Sequence, residues 1–188
     1  LKILKNNGAC HKVMIYTNNQ GPREWALSIK DYFEYKLNYP LFDRVISAFK
    51  IGNEIIEPKR TTHDKTVNDF FNCTKLPRNS QICFIDDQYH PEMAGDNVYY
   101  VYLKPYKYNL FPDEMLERFD HCLLRKYIKG DNEKFRRYML NYMKNDKYEY
   151  KTDDELEVDR IVSKKIIENL QNFFSDSLKN KTIKKRRT

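Results

Sequence analysis

The chain has 188 residues, of which 40% are hydrophobic and 32% charged, with only 5 glycines and 7 prolines. This balance excludes collagen-like, low-complexity and disordered classes. A net charge of +7 favours an anionic partner, and much of the excess lies in residues 179–188, KNKTIKKRRT.

No apolar run is long enough to cross a bilayer, and no charged-then-apolar leader opens the sequence. The expectation is a protein without membrane association, located inside the cell, nuclear or cytoplasmic. Cys10, Cys73, Cys83 and Cys122 form no CxxC pair, so reduced thiols are expected. The 15 tyrosines and 11 phenylalanines fit an AT-rich coding bias and are not read as nucleic-acid platforms. The chain opens on Leu1, and its first acidic residue is Glu24, which reads as the downstream part of something longer.

Residues 1–5 read as a last helical turn, stopped by Asn7-Gly8. Val13 to Tyr16 is a short apolar run suited to a buried parallel strand. The polar turn Thr17-Asn18-Asn19-Gln20-Gly21 follows, and Pro22 opens a helix over 22–37 whose Trp25, Ile29, Phe33 and Leu37 recur at helical spacing. Residues 44–49 predict a second strand. A helix is expected over 64–72, a third strand over 82–85 ending in Asp86-Asp87, and a fourth over 98–103.

Strand–helix alternation of this kind argues for an α/β fold with a mostly parallel sheet over 1–111. Beyond Pro112 the pattern becomes helical through about residue 178, with helices around Leu116–Tyr127 and Phe135–Tyr142. Thr152 and Glu155 spell a capping box at the head of a long amphipathic helix. Its apolar stripe (Val158, Val162, Ile166, Leu170, Phe173) is expected to dock on the α/β part. Residues 179–188 form a basic tail, read either as a nuclear-localisation or nucleic-acid contact or as a solubilising terminus.

In open α/β sheets, ligands bind at the carboxyl ends of strands. Two polar clusters fall there: Thr17-Asn18 and Asp86-Asp87. A hydroxyl, an amide and a nearby helix N-terminus suit a phosphate. The two carboxylates suit Mg²⁺, which takes one or two of them with waters and a substrate phosphate. Lys65, expected in the first turn of a helix where the macrodipole disfavours a cation, is explained by an anion. Each feature alone has a plainer explanation: turn chemistry for Thr-Asn, solubility or a cap for Asp-Asp, a solvated lysine. Their order along the chain carries more weight than any one of them. A zinc site drawn from Cys10, His11, Cys73, Cys83, His90, His121 and Cys122 lacks ligand spacing, and His90 is expected to cap or pack.

These residues resemble the haloacid-dehalogenase (HAD) superfamily, close to its RNA-polymerase-tail phosphatase (NLI-interacting-factor-like) branch. The second motif of that family, an apolar strand ending in Thr or Ser, matches Val13 to Asn18. Its lysine motif matches Lys65, with Lys59 the alternative. Its acidic motif matches Cys83 to Asp87. The resemblance covers residues 1 to 105. It implies Thr17, Asn18 and Lys65 in the catalytic site, Asp86 and Asp87 on Mg²⁺, and hydrolysis of phosphomonoesters in an intact relative. The implied substrate is a phosphorylated protein or nucleic-acid end.

The family's DxDx(T/V) nucleophile motif belongs upstream of the threonine strand, where this chain has no acidic residue. The fold expected is therefore a HAD-like, Rossmann-type parallel sheet lacking its first (nucleophile) strand, in a truncated or inactive form. The alternative is a non-catalytic module that engages nucleic acid or a polymerase-associated protein through its tail and helices.

Overall fold

Where the sequence places short apolar runs between polar turns, the structure places short strands. It is a computed structural model that describes residues 1–145 and 148–185. The side chains of the basic cluster at 184–187 lie outside the described residues.

Helix α1 (Lys2–Asn6) ends as expected, with Gly8 in the left-handed region at φ 74°. Strand β1 (Met14–Tyr16) is followed by α2 (Arg23–Leu37), closed by Asn38 at φ 44°. Strand β2 (Arg44–Ile46) pairs parallel to β1, with Ile15 opposite Val45. Asp43 fixes the entry to both strands: its carboxylate accepts from Val13 N–H (2.8 Å), Lys5 (2.7 Å) and Lys12 (3.0 Å).

A small antiparallel hairpin, β3 (Lys50–Ile51) with β4 (Glu54–Ile55), turns on Gly52 at φ 56°. The sequence reading took this stretch for a plain charged loop. Two-residue strands carry too little alternation to register as a pattern. Helix α3 (Val67–Thr74) begins later than expected, because Thr66 is its N-cap and its hydroxyl accepts from Asp69 N–H at 3.0 Å. Strand β5 (Ile82–Asp86) pairs parallel to β6 (Val98–Tyr102).

The expected single parallel sheet is corrected to two separate parallel pairs and the hairpin. The backbone explains where each pair stops. Thr17 N–H donates to Ile46 O (3.0 Å), so Ile15 and Thr17 face β2, and Met14 and Tyr16 turn their amides to the opposite edge. Ile82 and Asp86 bond toward β6, leaving those of Cys83 and Ile85 on the far edge. Among the described residues, neither edge meets another strand.

Both pairs nevertheless share one core. Ile46, Phe70, Phe71, Cys73, Ile82, Phe84 and Met93 are buried together, with Met14, Tyr16, Val98 and Tyr100 packed around them. Helix α3 supplies the centre of this cluster because Phe70 and Phe71 fall on its inward face.

The chain forms two compact units: residues 1–104 with the chain from Ser163 on, and Pro105–Val162. The division expected near 111 was drawn on sequence character alone. Within the first unit, the later part of α6 (Asp153–Lys185) docks on β6. Tyr99 donates to Asn169 Oδ1 (2.9 Å) and its ring lies 5.8 Å from that of Phe173. Within the second unit, α4 (Pro112–Asp120) packs on α5 (Asn132–Met143) through Phe119 and Phe135 and through Arg136 on Asp120 at 2.5 Å. A 3-10 turn over Leu123–Tyr127 replaces the end of the single helix expected there. The Thr152–Glu155 capping box forms reciprocally, with bonds of 3.2 and 2.9 Å.

Candidate functional site: a buried ion pair and a locked strand-end loop

At the carboxyl end of β5, Asp86 faces inward with Ile82 and Phe84, following the alternation of the strand. Its Oδ2 accepts from Lys65 Nζ at 2.5 Å, and each side chain is only 10% exposed. Its Oδ1 accepts from Gln88 N–H (2.9 Å) and lies 3.6 Å from His90 Nε2. Tyr100 pins this loop by accepting from His90 N–H (2.9 Å) and donating to Gln88 O (3.0 Å). His90 is buried, and its Nε2 has no hydrogen-bond partner.

Lys65 does not occupy the first turn of α3, as the sequence reading had it. It immediately precedes the cap Thr66, which frees its side chain to reach across to β5. Its ammonium lies 5.9 Å from the ring centroids of both Tyr16 and Phe84, so one face of each ring adds a weak attraction.

At the carboxyl end of β1, the loop is shaped by its own side chains. Thr17 Oγ1 accepts from Asn19 N–H (3.0 Å), and Asn19 Oδ1 accepts from Gly21 N–H (2.6 Å). A Cβ on Gly21 would stand 2.8 Å from that oxygen, so a larger residue here would make the Asn19 side chain shift. A narrow pocket of about 10 Å³, room for a single water, opens beside Thr17, Asn19 and Ser47.

Arg60, absent from the sequence-level candidates, holds this loop against the lysine loop. It is 2% exposed. Its guanidinium donates to Thr17 O (3.2 Å), Ser47 O (2.9 Å), Asn18 Oδ1 (2.8 Å), His63 O (2.9 Å) and Asp64 O (3.0 Å). It also stacks 4.9 Å from the Tyr16 ring. All five acceptors are uncharged. A buried cation is tolerated here because carbonyl dipoles converge on it. Nearby, buried Asp69 accepts from Thr61 N–H (2.9 Å) and Thr61 Oγ1 (3.0 Å). Burial pushes the Tyr16 phenol up to about 12, although Arg60 beside it pulls the other way. It stays a neutral phenol, accepting from Thr66 N–H at 3.3 Å.

The five sequence candidates thus divide into three groups. Lys65 and Asp86 touch. Thr17 and Asn18 are joined to the lysine loop through Arg60. Asp87 is exposed, on the other face of the strand end from the inward-facing Asp86. Lys59, the alternative motif lysine, is exposed as well. The sequence reading passed over Arg60 because nothing local marks it; its acceptors come from three separate segments, 17–18, 47 and 63–64. His90 was placed on the loop that follows the acidic motif, near the site, with capping or packing as its expected role.

For a divalent cation, the donor set fits at one corner. Asp86 offers a hard carboxylate, and the His90 nitrogen beside it is buried without a partner. Among the described residues, no group of three or more His, Cys, Asp or Glu side chains is gathered for a metal. The thiols contribute nothing at neutral pH: burial pushes both Cys73 and Cys83 up to about 11.

Compared with protein-family models, curated proteins and solved structures, the chain finds no match.

Proposed function

We propose that this chain is a HAD-like phosphate-handling module that binds a phosphomonoester together with Mg²⁺ and does not itself complete the family's covalent transfer. The observation that carries this reading is the buried Lys65–Asp86 pair at the end of β5, linked through Tyr16 and Arg60 to Thr17-Asn18 at the end of β1. A hydroxyl and an amide follow β1 and a carboxylate ends β5, each strand belonging to a parallel pair, and the Lys65 ammonium reaches that carboxylate; α/β folds place ligands at such strand ends.

Lys65 would hold phosphoryl oxygens, and Thr17 and Asn18 would flank them. Asp86 and His90, with Asp87 at the rim, would hold the metal, which neutralises phosphate charge when bound. Among the described residues β1 and β5 belong to separate strand pairs, which supports this reading because the family's central strand would stand between them. Asp69 does not replace the nucleophile, since both of its oxygens are engaged by Thr61. The ligand class is a phosphorylated protein or a phosphorylated nucleic-acid end.

Thermal melting of the 188-residue chain tests this reading. Mg²⁺ with inorganic phosphate is expected to raise the melting temperature by a few degrees over chloride at equal ionic strength, since a ligand at about 100 times its Kd adds about 2.7 kcal/mol. No shift would remove the reading.

A second reading, a nucleic-acid-binding module, is favoured by the outer face of α5. There Tyr138 (67% exposed) and Tyr142 (73%) alternate with exposed Lys134, Arg137 and Asn141. Aromatic rings between cations are what single strands stack upon.

A further inference from the structure

The Lys65–Asp86 contact has consequences for how ligands enter. Each of these groups is buried, and each is the nearest counter-ion of the other. A divalent cation arriving alone at Asp86 must displace the Lys65 ammonium, which is then left buried beside two added positive charges. An oxyanion arriving alone at Lys65 leaves the Asp86 carboxylate buried and unpaired beside further negative charge. Unpaired charge in such surroundings is strongly penalised. Arriving together, the two ligands exchange one ion pair for two, anion on Lys65 and cation on Asp86, and also attract each other.

We infer that the site takes a divalent cation and a phosphate-type oxyanion as an interdependent pair, with Lys65–Asp86 acting as the internal ion pair that excludes either ligand alone. This rests on the phosphate-handling reading above and adds to it a binding rule. The geometry around the pair supports the rule. Gln88 N–H and His90 fix Asp86 from one side, and the Tyr16 and Phe84 rings flank Lys65 on the other. Each side chain is only 10% exposed, so a single ligand meets both charges of the pair in the same buried place. Linkage requires the effect to be reciprocal: phosphate strengthens Mg²⁺ by the same factor as Mg²⁺ strengthens phosphate.

Calorimetric titration of the wild-type chain tests this, with Mg²⁺ alone, inorganic phosphate alone, and each in the presence of saturating amounts of the other. Direct Mg²⁺–phosphate association is subtracted in protein-free controls. The expected result is a fall of at least tenfold in the apparent Kd of each ligand when the other is present, by equal factors. Binding of both with affinities independent within twofold would overturn the pairing rule and leave the phosphate-handling reading standing. No binding under any condition would overturn both.

Two variants sharpen the assignment. Lys65→Met removes the internal competitor, so Mg²⁺ alone should bind more tightly than to wild type while phosphate is lost. Asp86→Asn should do the reverse for phosphate. A pair with a purely structural role would weaken both ligands in both variants, and that outcome would overturn the inference.

Discussion

A single side chain, Arg60, does more than any sequence motif to define the rim where the site lies. Its five donor contacts tie the end of β1, the end of β2 and the 63–64 loop to one point. Arg60→Met would leave four carbonyls without their partner in a buried place, at a cost of about 3 kcal/mol or more by urea unfolding. A loss under about 1 kcal/mol would mean that the carbonyls find water instead. Titration gives a second residue-scale expectation. The folded-state values of Tyr16 (about 12), Cys73 and Cys83 (about 11) lie above those of the free side chains, so folded protein holds these protons more tightly. That contribution is complete below about pH 9 and is lost as pH rises through 11 to 12. Asp43 behaves in the opposite sense. Burial alone would raise its carboxyl, but Lys5, Val13 N–H and Lys12 hold it below the usual carboxylate range. Its contribution is present above about pH 4 and is lost on further acidification. A pH series of unfolding midpoints should therefore fall at both ends, and a flat profile above pH 9 would contradict the burial of these groups.

Among the elements, α3 positions the site. Its cap at Thr66 sets where Lys65 leaves the backbone, and Phe70 and Phe71 anchor it between the two strand pairs. Thr66→Ala should cost about 1 kcal/mol. It should also weaken phosphate binding if α3 frays and releases Lys65; unchanged affinity would separate the cap from the site.

Most elements were legible because each carries a local signal: apolar runs for β1 and β5, helical spacing for α2, Asn7-Gly8 after α1, and the Thr152–Glu155 box before α6. The start of α3 was misread because the helical reading ran back to residue 64, whereas the Thr66 hydroxyl accepts from Asp69 N–H and the helix begins at Val67. Lys65 and Asp86, both singled out from the sequence, are in contact, although Lys65 precedes the cap of α3 and does not stand in its first turn as the sequence reading had it. Arg60 was not singled out, since its role exists only once the ends of β1 and β2 have met the loop that carries it. On the outer face of α5, the nucleic-acid reading makes a separate claim. An unstructured pyrimidine strand should bind with a salt-dependent affinity, and Arg137→Ala should reduce the slope of log K against log salt by about 0.7. Binding that ignores salt would exclude this face.

At the scale of the whole molecule, the fold is a mixed α/β arrangement with two parallel strand pairs sharing one core, followed by a helical unit. No helix among the described residues is long and apolar enough to cross a membrane. Parallel strands are ordinarily found inside larger sheets covered on both faces, and here, among the described residues, β1 and β5 each keep an unpaired edge. Sequence periodicity announced the strands but said nothing of which neighbours they would lack, because pairing is a long-range property.

The central claim is that the ends of β1 and β5 make one site for an anion and its cation. Phosphorus NMR of inorganic phosphate with Mn²⁺ in place of Mg²⁺ tests it most directly, because a bound paramagnetic ion speeds the relaxation only of a phosphate held beside it. Relaxation enhanced well beyond the protein-free Mn²⁺–phosphate control, and lost in Asp86→Asn and in Lys65→Met, is the predicted result. Enhancement equal to the protein-free control, or surviving both substitutions, would contradict the account.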